Sequence, residues 1–186
     1  MKTVVLHGSP RKNGSSDTLV EHFLKGLRLG GNGDIKEFFA NELSIRPCQG
    51  CLTCNKPLEQ YCVIEDDMQK IYSAFINANI VVFATPMYWG YMTAQLKAII
   101  DRMEAIASEK YFKGKTFVLI VTYHYHCEST IAFFKRIAKY FGVQLHTIIY
   151  HSLDKETDGD VHVSNCKEKL EEAAELGVNL GKLESE

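Results

Sequence analysis

The chain has 186 residues, of which 46% are hydrophobic and 24% are charged, as in an ordinary globular protein. Lys and Arg number 21 against 23 Asp and Glu, and neither sign dominates a long stretch. The sequence therefore lacks the basic stripe that neutralises nucleic-acid phosphates, and we expect no nucleic-acid partner. This length suits one domain, which we expect to span residues 1–186.

The apolar run at the amino terminus, residues 3–6, is too short for a signal-peptide core or a membrane span. We therefore expect a cytoplasmic protein without a membrane partner. In that compartment the six cysteines stay reduced, so a cluster of them is more typical of catalysis or metal binding than of disulfides.

Apolar and β-branched runs alternate with helical patterns along the chain. The predicted strands are residues 3–6, 34–39, 80–84, 116–121 and 145–150. One predicted helix follows the first loop, and a second begins at Asp66 or Asp67. Three more follow the third, fourth and fifth strands, over residues 96–106, 131–141 and 164–180. This alternation predicts an α/β fold with a doubly wound parallel sheet. Ligands of such sheets bind beyond the carboxyl ends of the strands, where the strand order reverses.

The loop after the first strand is rich in hydrogen-bond donors. Residues 8–18 read GSPRKNGSSDT and lead into a helix, which Ser15 or Ser16 can cap. The amides and dipole of a helix amino terminus favour an anion. The gap from Gly8 to Gly14 is one residue too long for a nucleotide P-loop, and Pro10 replaces the second glycine of a dinucleotide fingerprint. The donors favour a phosphomonoester held as a cofactor; the alternative is a serine-rich turn that only caps the helix.

The loop after the third strand concentrates aromatic side chains. Residues 85–92 read TPMYWGYM and contain the only tryptophan of the chain. We expect Pro86 to end the strand and Gly90 to let the backbone approach a ligand closely. Flat aromatic side chains with free main-chain amides are what the isoalloxazine ring of a flavin requires. The alternative is an aromatic cluster of the core.

Both loops, with the run AQLKAIIDR at residues 94–102, resemble the NADPH-dependent FMN reductase family over about residues 1–125. Within that family the chain is most similar to the branch called iron–sulfur flavoproteins. The resemblance implies a three-layer flavodoxin-like fold with a five-stranded parallel sheet in the order 2-1-3-4-5, and FMN as the cofactor. It also implies that Asp101 and Arg102 are helix and subunit-contact residues.

The resemblance further implies which residues bind FMN. Those expected to hold its phosphate are Ser9, Arg11, Asn13, Ser15, Ser16 and Thr18. Those expected at the edge of its ring are Pro86, Met87, Tyr88, Trp89 and Gly90, while Thr122 and Tyr123 would line the other side. We interpret His124, which follows the fourth strand, as a residue that lines the flavin or substrate site.

Four cysteines fall within fifteen positions, with gaps of two, two and seven residues: Cys48, Cys51, Cys54 and Cys62. Thiolates at such gaps can converge on one metal centre. The pattern departs from the bacterial ferredoxin run in its last gap, and it resembles the compact motif of iron–sulfur flavoproteins. A [4Fe–4S] cluster, a structural zinc and no metal stay open as alternatives. Cys127 and Cys166 are interpreted as ordinary thiols.

The sequence thus favours an NAD(P)H-dependent, FMN reductase-like oxidoreductase that passes electrons to a flavin, quinone or similar small acceptor. No catalytic residue is predicted, because hydride transfer to a flavin needs stacking and not an acid or base. One alternative is a relay from ferredoxin through a [4Fe–4S] cluster to FMN, and another is a non-catalytic flavin-binding redox sensor. We also expect a homo-oligomer, because the flavin edge of such a domain is shallow.

Overall fold

The computed structural model of the protein describes residues 1–56 and 61–183. Its strands are β1 Lys2–His7, β2 Asp34–Phe39, β3 Ile80–Tyr88, β4 Tyr91–Met92, β5 Thr116–Tyr123 and β6 Gln144–His151. Its α-helices are α1 Ser15–Leu29, α2 Met68–Asn77, α3 Ala94–Arg102, α4 Glu109–Phe112, α5 Glu128–Phe141 and α6 Lys167–Lys182. Short 3₁₀ helices occupy Ala40–Glu42, Thr53–Asn55, Met103–Ile106 and Val163–Asn165.

The sheet has five long parallel strands in the order β2-β1-β3-β5-β6. This is the predicted order of the five long strands. The prediction of five strands omitted β4, a two-residue strand that pairs antiparallel with the end of β3. Two residues are too few to leave a period in the sequence. The strand order reverses between β1 and β3, so their carboxyl ends border a crevice.

The core lies on both faces of the sheet, which makes the three predicted layers. Along β3, Val81 and Phe83 pack into one hydrophobic cluster, whereas Val82 and Ala84 pack into the other. Side chains of a strand alternate between faces, so a strand covered on both sides must be apolar throughout. Helices α2, α3 and α5 cover one face and helices α1 and α6 cover the other.

Helices α1 and α6 pack with their backbones in close contact. A Cβ added to Gly26 of α1 would lie 1.9 Å from the Ala174 carbonyl oxygen. A Cβ added to Gly177 of α6 would lie 2.1 Å from the Phe23 carbonyl oxygen. Only glycine fits at either position, so the backbones of α1 and α6 can approach each other closely.

The start of α1 differs from the prediction that Ser15 or Ser16 caps it. The N-cap residue is Gly14, and no side chain caps the helix. The Ser15 hydroxyl oxygen instead accepts the Val163 N–H at 3.1 Å. The cap prediction was wrong because Ser15 binds a segment that is distant in sequence.

The prediction that Pro86 ends β3 was also wrong, since the strand continues to Tyr88. The Gly8 N–H donates to the Ala84 carbonyl at 2.7 Å, so the backbone groups of Ala84 face β1. The N–H and C=O groups of successive residues in a strand point to opposite sides, so the backbone of Pro86 points to the β1 side, as that of Ala84 does. Pro86 lies beyond the last pair of β1 with β3, His7↔Ala84. A proline is tolerated there because no neighbouring strand needs its N–H.

The predicted long helix at residues 96–106 is divided into α3 and a 3₁₀ helix, and the predicted helix at residues 164–180 begins with a separate 3₁₀ helix. The other predicted helices lie within a few residues of their positions, but the four-residue helix α4 was not predicted. No helix within residues 1–56 and 61–183 is both long and apolar enough to cross a membrane.

Candidate functional site

A cavity of about 430 Å³ opens at the carboxyl ends of β1, β3 and β5. This is the edge at which the reversal of strand order predicts a ligand. Its lining comes from four segments and comprises Ser9, Arg11, Lys12, Asn13, Gly14, Ser15, Ser16, Pro86, Met87, Tyr88, Thr122, Tyr123, His124, Ser152, Asp160 and His162. The volume lies in the range of small-molecule and cofactor sites.

The floor of the cavity is the uncapped amino terminus of α1. Gly14 has extended backbone, and among residues 1–56 and 61–183 no side chain caps the first turn. The first backbone bond of the helix is donated by Thr18 to Gly14, which leaves the N–H groups of Ser15 and Ser16 outside the helical ladder. Such free amides, with the helix dipole behind them, form an anion site.

Ser9 braces this loop from within. Its hydroxyl donates to the Arg11 carbonyl at 2.8 Å and accepts the Arg11 N–H at 3.1 Å. Thr18 stands apart from the other predicted phosphate residues, because it lines an adjacent cavity beneath α1 and β2. The first loop therefore contributes Ser15, Ser16 and their main-chain amides to the lining of the cavity.

His7 supports the first loop from below, a role that the sequence analysis did not identify. It is buried, and its Nδ1 and Nε2 lie 3.1 Å from Asp17 and 3.0 Å from Glu37. Its ring stacks on Phe39 at 4.1 Å. The sequence does place this histidine directly before the glycine of a donor-rich loop. Its two carboxylate partners could not be predicted, because they come from α1 and β2.

The aromatic loop is a tight hairpin. Met87 and Tyr88 pair with Met92 and Tyr91 across the two-residue turn Trp89-Gly90, and both turn residues have positive φ, 50° and 75°. That is the geometry of a type I′ turn, which matches the twist of the flanking strands. Pro86, Met87 and Tyr88 line the cavity, whereas Trp89 is fully exposed at the tip.

The opposite wall combines the end of β5 with the loop after β6. Thr122, Tyr123 and His124 line it, and their expected contact with a flavin stays a prediction. His124 Nε2 lies 3.0 Å from Asp160, whose other oxygen is 3.8 Å from the Arg11 guanidinium. Hydrogen bonding to His124, aided by the Arg11 charge, lowers the pKa of Asp160 below its ordinary value.

The sequence analysis missed Ser152, Asp160 and His162. His162 Nε2 lies 3.1 Å from the Asn13 carbonyl oxygen, so the loop after β6 contacts the first loop directly. The available signal was a polar loop that follows a parallel strand, because all such loops emerge at the same edge of the sheet. No motif marked these residues.

All four clustered cysteines line one pocket of about 30 Å³ beside the end of α3. Thiols are the donor type of a metal–thiolate centre, so the four side chains suit such a centre in their chemistry but not in their present arrangement. Within residues 1–56 and 61–183, no three His, Cys, Asp or Glu side chains are arranged closely enough to hold an ion. A hydrogen bond from the Thr53 hydroxyl lowers the pKa of the Cys51 thiol, whereas burial raises the pKa of Cys54. Cys127 and Cys166 are not among the residues of this pocket.

Arg102 lies at the base of the cysteine pocket and is only 2% exposed. The expectation that it is a subunit-contact residue is therefore wrong, because its side chain is turned into the core. Asp101 is partly exposed and pairs with Lys97 at 2.6 Å. Burial would raise the pKa of Asp66, but hydrogen bonds from Arg102 and from the Arg46 and Met68 amides hold it below its ordinary value.

The fold and the donor-rich cavity define a flavodoxin-like protein of the flavin-binding type. Residues 1–129 match the family described as NADPH-dependent FMN reductase, and the chain belongs to this family. The resemblance to this family, predicted from the two loops and residues 94–102, is thereby confirmed.

Curated relatives point to the same branch as the motifs. An iron–sulfur flavoprotein of Archaeoglobus fulgidus is 32% identical over 145 residues, which cover 77% of this chain and 64% of that protein. The chain spans between 52% and 64% of the length of the first three curated relatives, all of which carry this name.

Solved structures share the fold. An NAD(P)H:quinone oxidoreductase from Methanothermobacter marburgensis matches with a TM-score of 0.67 at 18% identity, over 97% of this chain and 96% of that one. An FMN-dependent NADH-azoreductase from Bacillus anthracis, in complex with FMN, matches with a TM-score of 0.69 at 16% identity, over 97% of this chain and 100% of that one. At these identities the likeness concerns the fold alone.

Proposed function

We propose that this chain binds FMN in the 430 Å³ cavity and transfers electrons from NAD(P)H to a flavin, quinone or similar small acceptor. The observation that carries the proposal is the uncapped start of α1, which faces a cavity whose other walls are the aromatic hairpin and the end of β5. An anion site beside an aromatic wall suits a cofactor that has a phosphate at one end and a flat ring at the other.

In this proposal the first loop holds the phosphate. The free N–H groups of Ser15 and Ser16 donate to its oxygens, and the Arg11 guanidinium balances part of its charge. Ser9 keeps the loop in shape through its two bonds with Arg11. Asn13, with a positive φ of 58°, turns the chain toward the helix.

The hairpin and the end of β5 hold the ring in the same proposal. Pro86, Met87 and Tyr88 form one side of the cavity, and Thr122 with Tyr123 form the other. When bound, FMN supplies hydride acceptance and electron release, so the chain has only to orient the ring and leave one face open. The predicted absence of a catalytic acid or base agrees with this division of work.

Two measurements test the proposal. Equilibrium dialysis compares FMN with riboflavin, which lacks the phosphate, and we expect FMN to be retained far more tightly. Steady-state oxidation of NADH and NADPH by the FMN-loaded chain, with a quinone or free flavin as acceptor, then tests turnover. Equal retention of both flavins would contradict the phosphate site, and tight FMN binding without turnover would favour the redox-sensor alternative.

A second candidate function is supported by the single pocket that gathers Cys48, Cys51, Cys54 and Cys62. In that case the chain also carries a [4Fe–4S] cluster and relays electrons from ferredoxin to FMN. In the described part of the chain the two cavities have separate linings, so the cluster and the flavin would be bound independently.

Metal analysis of anaerobically produced protein tests the second candidate. We expect iron and sulfide in the wild type, and loss of iron but not of FMN when any one of the four cysteines is replaced by Ala. Cys127→Ala and Cys166→Ala are the matched controls and should retain iron. Zinc in place of iron would identify a structural site, and the absence of both metals would remove this candidate.

We further propose that the chain assembles as a homo-oligomer through the aromatic hairpin. Trp89 is fully exposed, and Tyr88 and Tyr91 beside it are only partly covered. A second copy would remove this apolar tip from water. Light scattering of the wild type and of Trp89→Ser tests this: the wild type should be larger than a monomer, and the variant should dissociate more readily on dilution.

A further inference from the structure

The two ends of the segment that carries the four cysteines meet at one buried side chain. We call residues 46–66 the cysteine loop. At its start, Arg102 Nη1 donates to the Arg46 carbonyl at 2.9 Å. At its end, Arg102 Nη2 donates to the Ile64 carbonyl at 3.2 Å, and both Nη atoms reach the Asp66 carboxylate, at 2.9 and 3.3 Å.

Backbone contacts complete the closure. The Arg46 N–H donates to Asp66 at 3.0 Å, and the Ser44 N–H donates to Asp67 at 2.8 Å. The Arg102 backbone is itself held, because the buried Tyr72 hydroxyl donates to its carbonyl at 2.7 Å. The loop is therefore fixed at its base, while Cys48 and Cys51 remain exposed.

Arg102 also belongs to the pocket that the thiols line. Its Nε is buried and has no hydrogen-bond partner among the described residues, although the rest of the guanidinium is fully used. A buried, unpaired donor is costly unless it serves a group that the structure does not contain. Thiolates bound to a metal carry net negative charge, and a buried cation with a free N–H suits such a neighbour.

We propose that Arg102 is the positioning residue of the four-cysteine site: its guanidinium joins both ends of the cysteine loop and presents a buried positive charge to the thiolates. The ion pair with Asp66 holds the two ends of the loop together, and the remaining N–H is left to donate to the anionic sulfur ligands. This inference rests on the second candidate function above, the metal–thiolate site, and not on the FMN site.

The test uses Co²⁺ as a probe of the site in the reduced, FMN-loaded full chain. Cobalt bound by thiolates gives a charge-transfer absorption that reports both affinity and the number of thiolates. We expect Arg102→Met to weaken Co²⁺ binding by about tenfold or more, the effect of removing a group that orients metal ligands. Arg102→Lys keeps the positive charge but loses the planar set of N–H donors of the guanidinium, and it should recover part of the Co²⁺ affinity.

Arg46→Met is the matched control, because it removes an exposed guanidinium from the same loop and leaves the Arg46 carbonyl in place. Its Co²⁺ affinity should stay within about twofold of the wild type, as for other surface substitutions. FMN retention by every variant reports that the fold persists, since the FMN cavity shares no residue with the cysteine pocket. If Arg102→Met loses FMN, then Arg102→Lys and Asp66→Asn carry the test.

The outcomes are distinct. Wild-type affinity and an unchanged charge-transfer band in Arg102→Met would overturn the role of Arg102 while leaving the metal site standing. No cobalt–thiolate band in the wild type would overturn both this inference and the metal candidate. Retained FMN and NAD(P)H oxidation in that sample would leave the proposed oxidoreductase intact.

Discussion

The first loop and the cysteine loop are both irregular segments whose side chains and amides suit ligand binding, yet different contacts hold each of them in place. The first loop continues β1 at one end and begins α1 at the other. The Gly8 N–H donates to the Ala84 carbonyl, and the Gly8 carbonyl accepts a hydrogen bond from the Thr93 hydroxyl at 2.6 Å. The cysteine loop contains one short 3₁₀ helix in its described part and closes on the Arg102–Asp66 ion pair.

This difference indicates how each site should respond to damage. The geometry of the first loop is shared among many backbone bonds of the sheet, so a single side chain there affects the ligand more than the fold. The ends of the cysteine loop meet at the buried Arg102–Asp66 ion pair and the bonds around it, so one substitution there should affect stability and site together. The predictions below test this contrast.

The largest expected effect is on stability. Arg102→Met leaves the Asp66 carboxylate, whose side chain is 4% exposed, without its cationic partner. We expect the free energy of unfolding to fall by about 3–5 kcal/mol, as when one partner of a buried pair is removed. Chemical denaturation measures it, with the exposed Arg46→Met as control. A loss near that of the control would show that the cysteine loop has other supports.

Ser16→Ala addresses the first loop. The hydroxyl lines the cavity, and we expect its loss to weaken FMN binding by about 1.5–3 kcal/mol, the contribution of a hydrogen bond to a charged group. Riboflavin binding and the free energy of unfolding should hardly change. Thr18→Ala is the control, because Thr18 lines the adjacent cavity. Equal effects of both substitutions in isothermal titration would contradict this placement of the phosphate.

Gly26→Ala tests whether the packing of α1 supports the first loop. The added Cβ would meet the Ala174 backbone, so α1 must shift, and we expect a loss of about 1–3 kcal/mol in stability, typical of overpacking. FMN affinity should fall with it, whereas cysteine accessibility should not. Gly33→Ala places its Cβ in open space and should be neutral in the same unfolding experiment.

The smallest effects concern acid pH. Asp66 and Asp160 both have a pKa below the ordinary 3.8, so each stabilises the fold above that pH, and the contribution is lost as the pH falls through the lowered pKa. Buried Asp66 should contribute more than the half-exposed Asp160, which solvent screens. In acid unfolding curves, Asp66→Asn should flatten the pH dependence and Asp160→Asn should follow the wild type. A larger change in Asp160→Asn than in Asp66→Asn would contradict the proposed difference between the two loops.

Much of the fold could be predicted because its signals are local. The uninterrupted apolar run of β3 indicates a strand covered on both faces, and the helices carry apolar residues at helical spacing. The part of the site that lies next to strand ends, such as Ser15, Met87 and Tyr123, could be predicted for the same reason. The topology brings the carboxyl ends of parallel strands together whatever the loops contain.

The sequence by itself determined the alternation of strands and helices, the donor-rich first loop and the spacing of the cysteines, because each depends on neighbours along the chain. Only the tertiary structure decided that Asp160 and His162 join the cavity, that Ser15 binds Val163 in place of capping α1, and that Arg102 closes the cysteine loop. These contacts join residues 36 to 149 positions apart, as in Arg102 with Asp66 and His162 with Asn13. A single sequence carries no period that reports such pairs, since they form only when the layers pack.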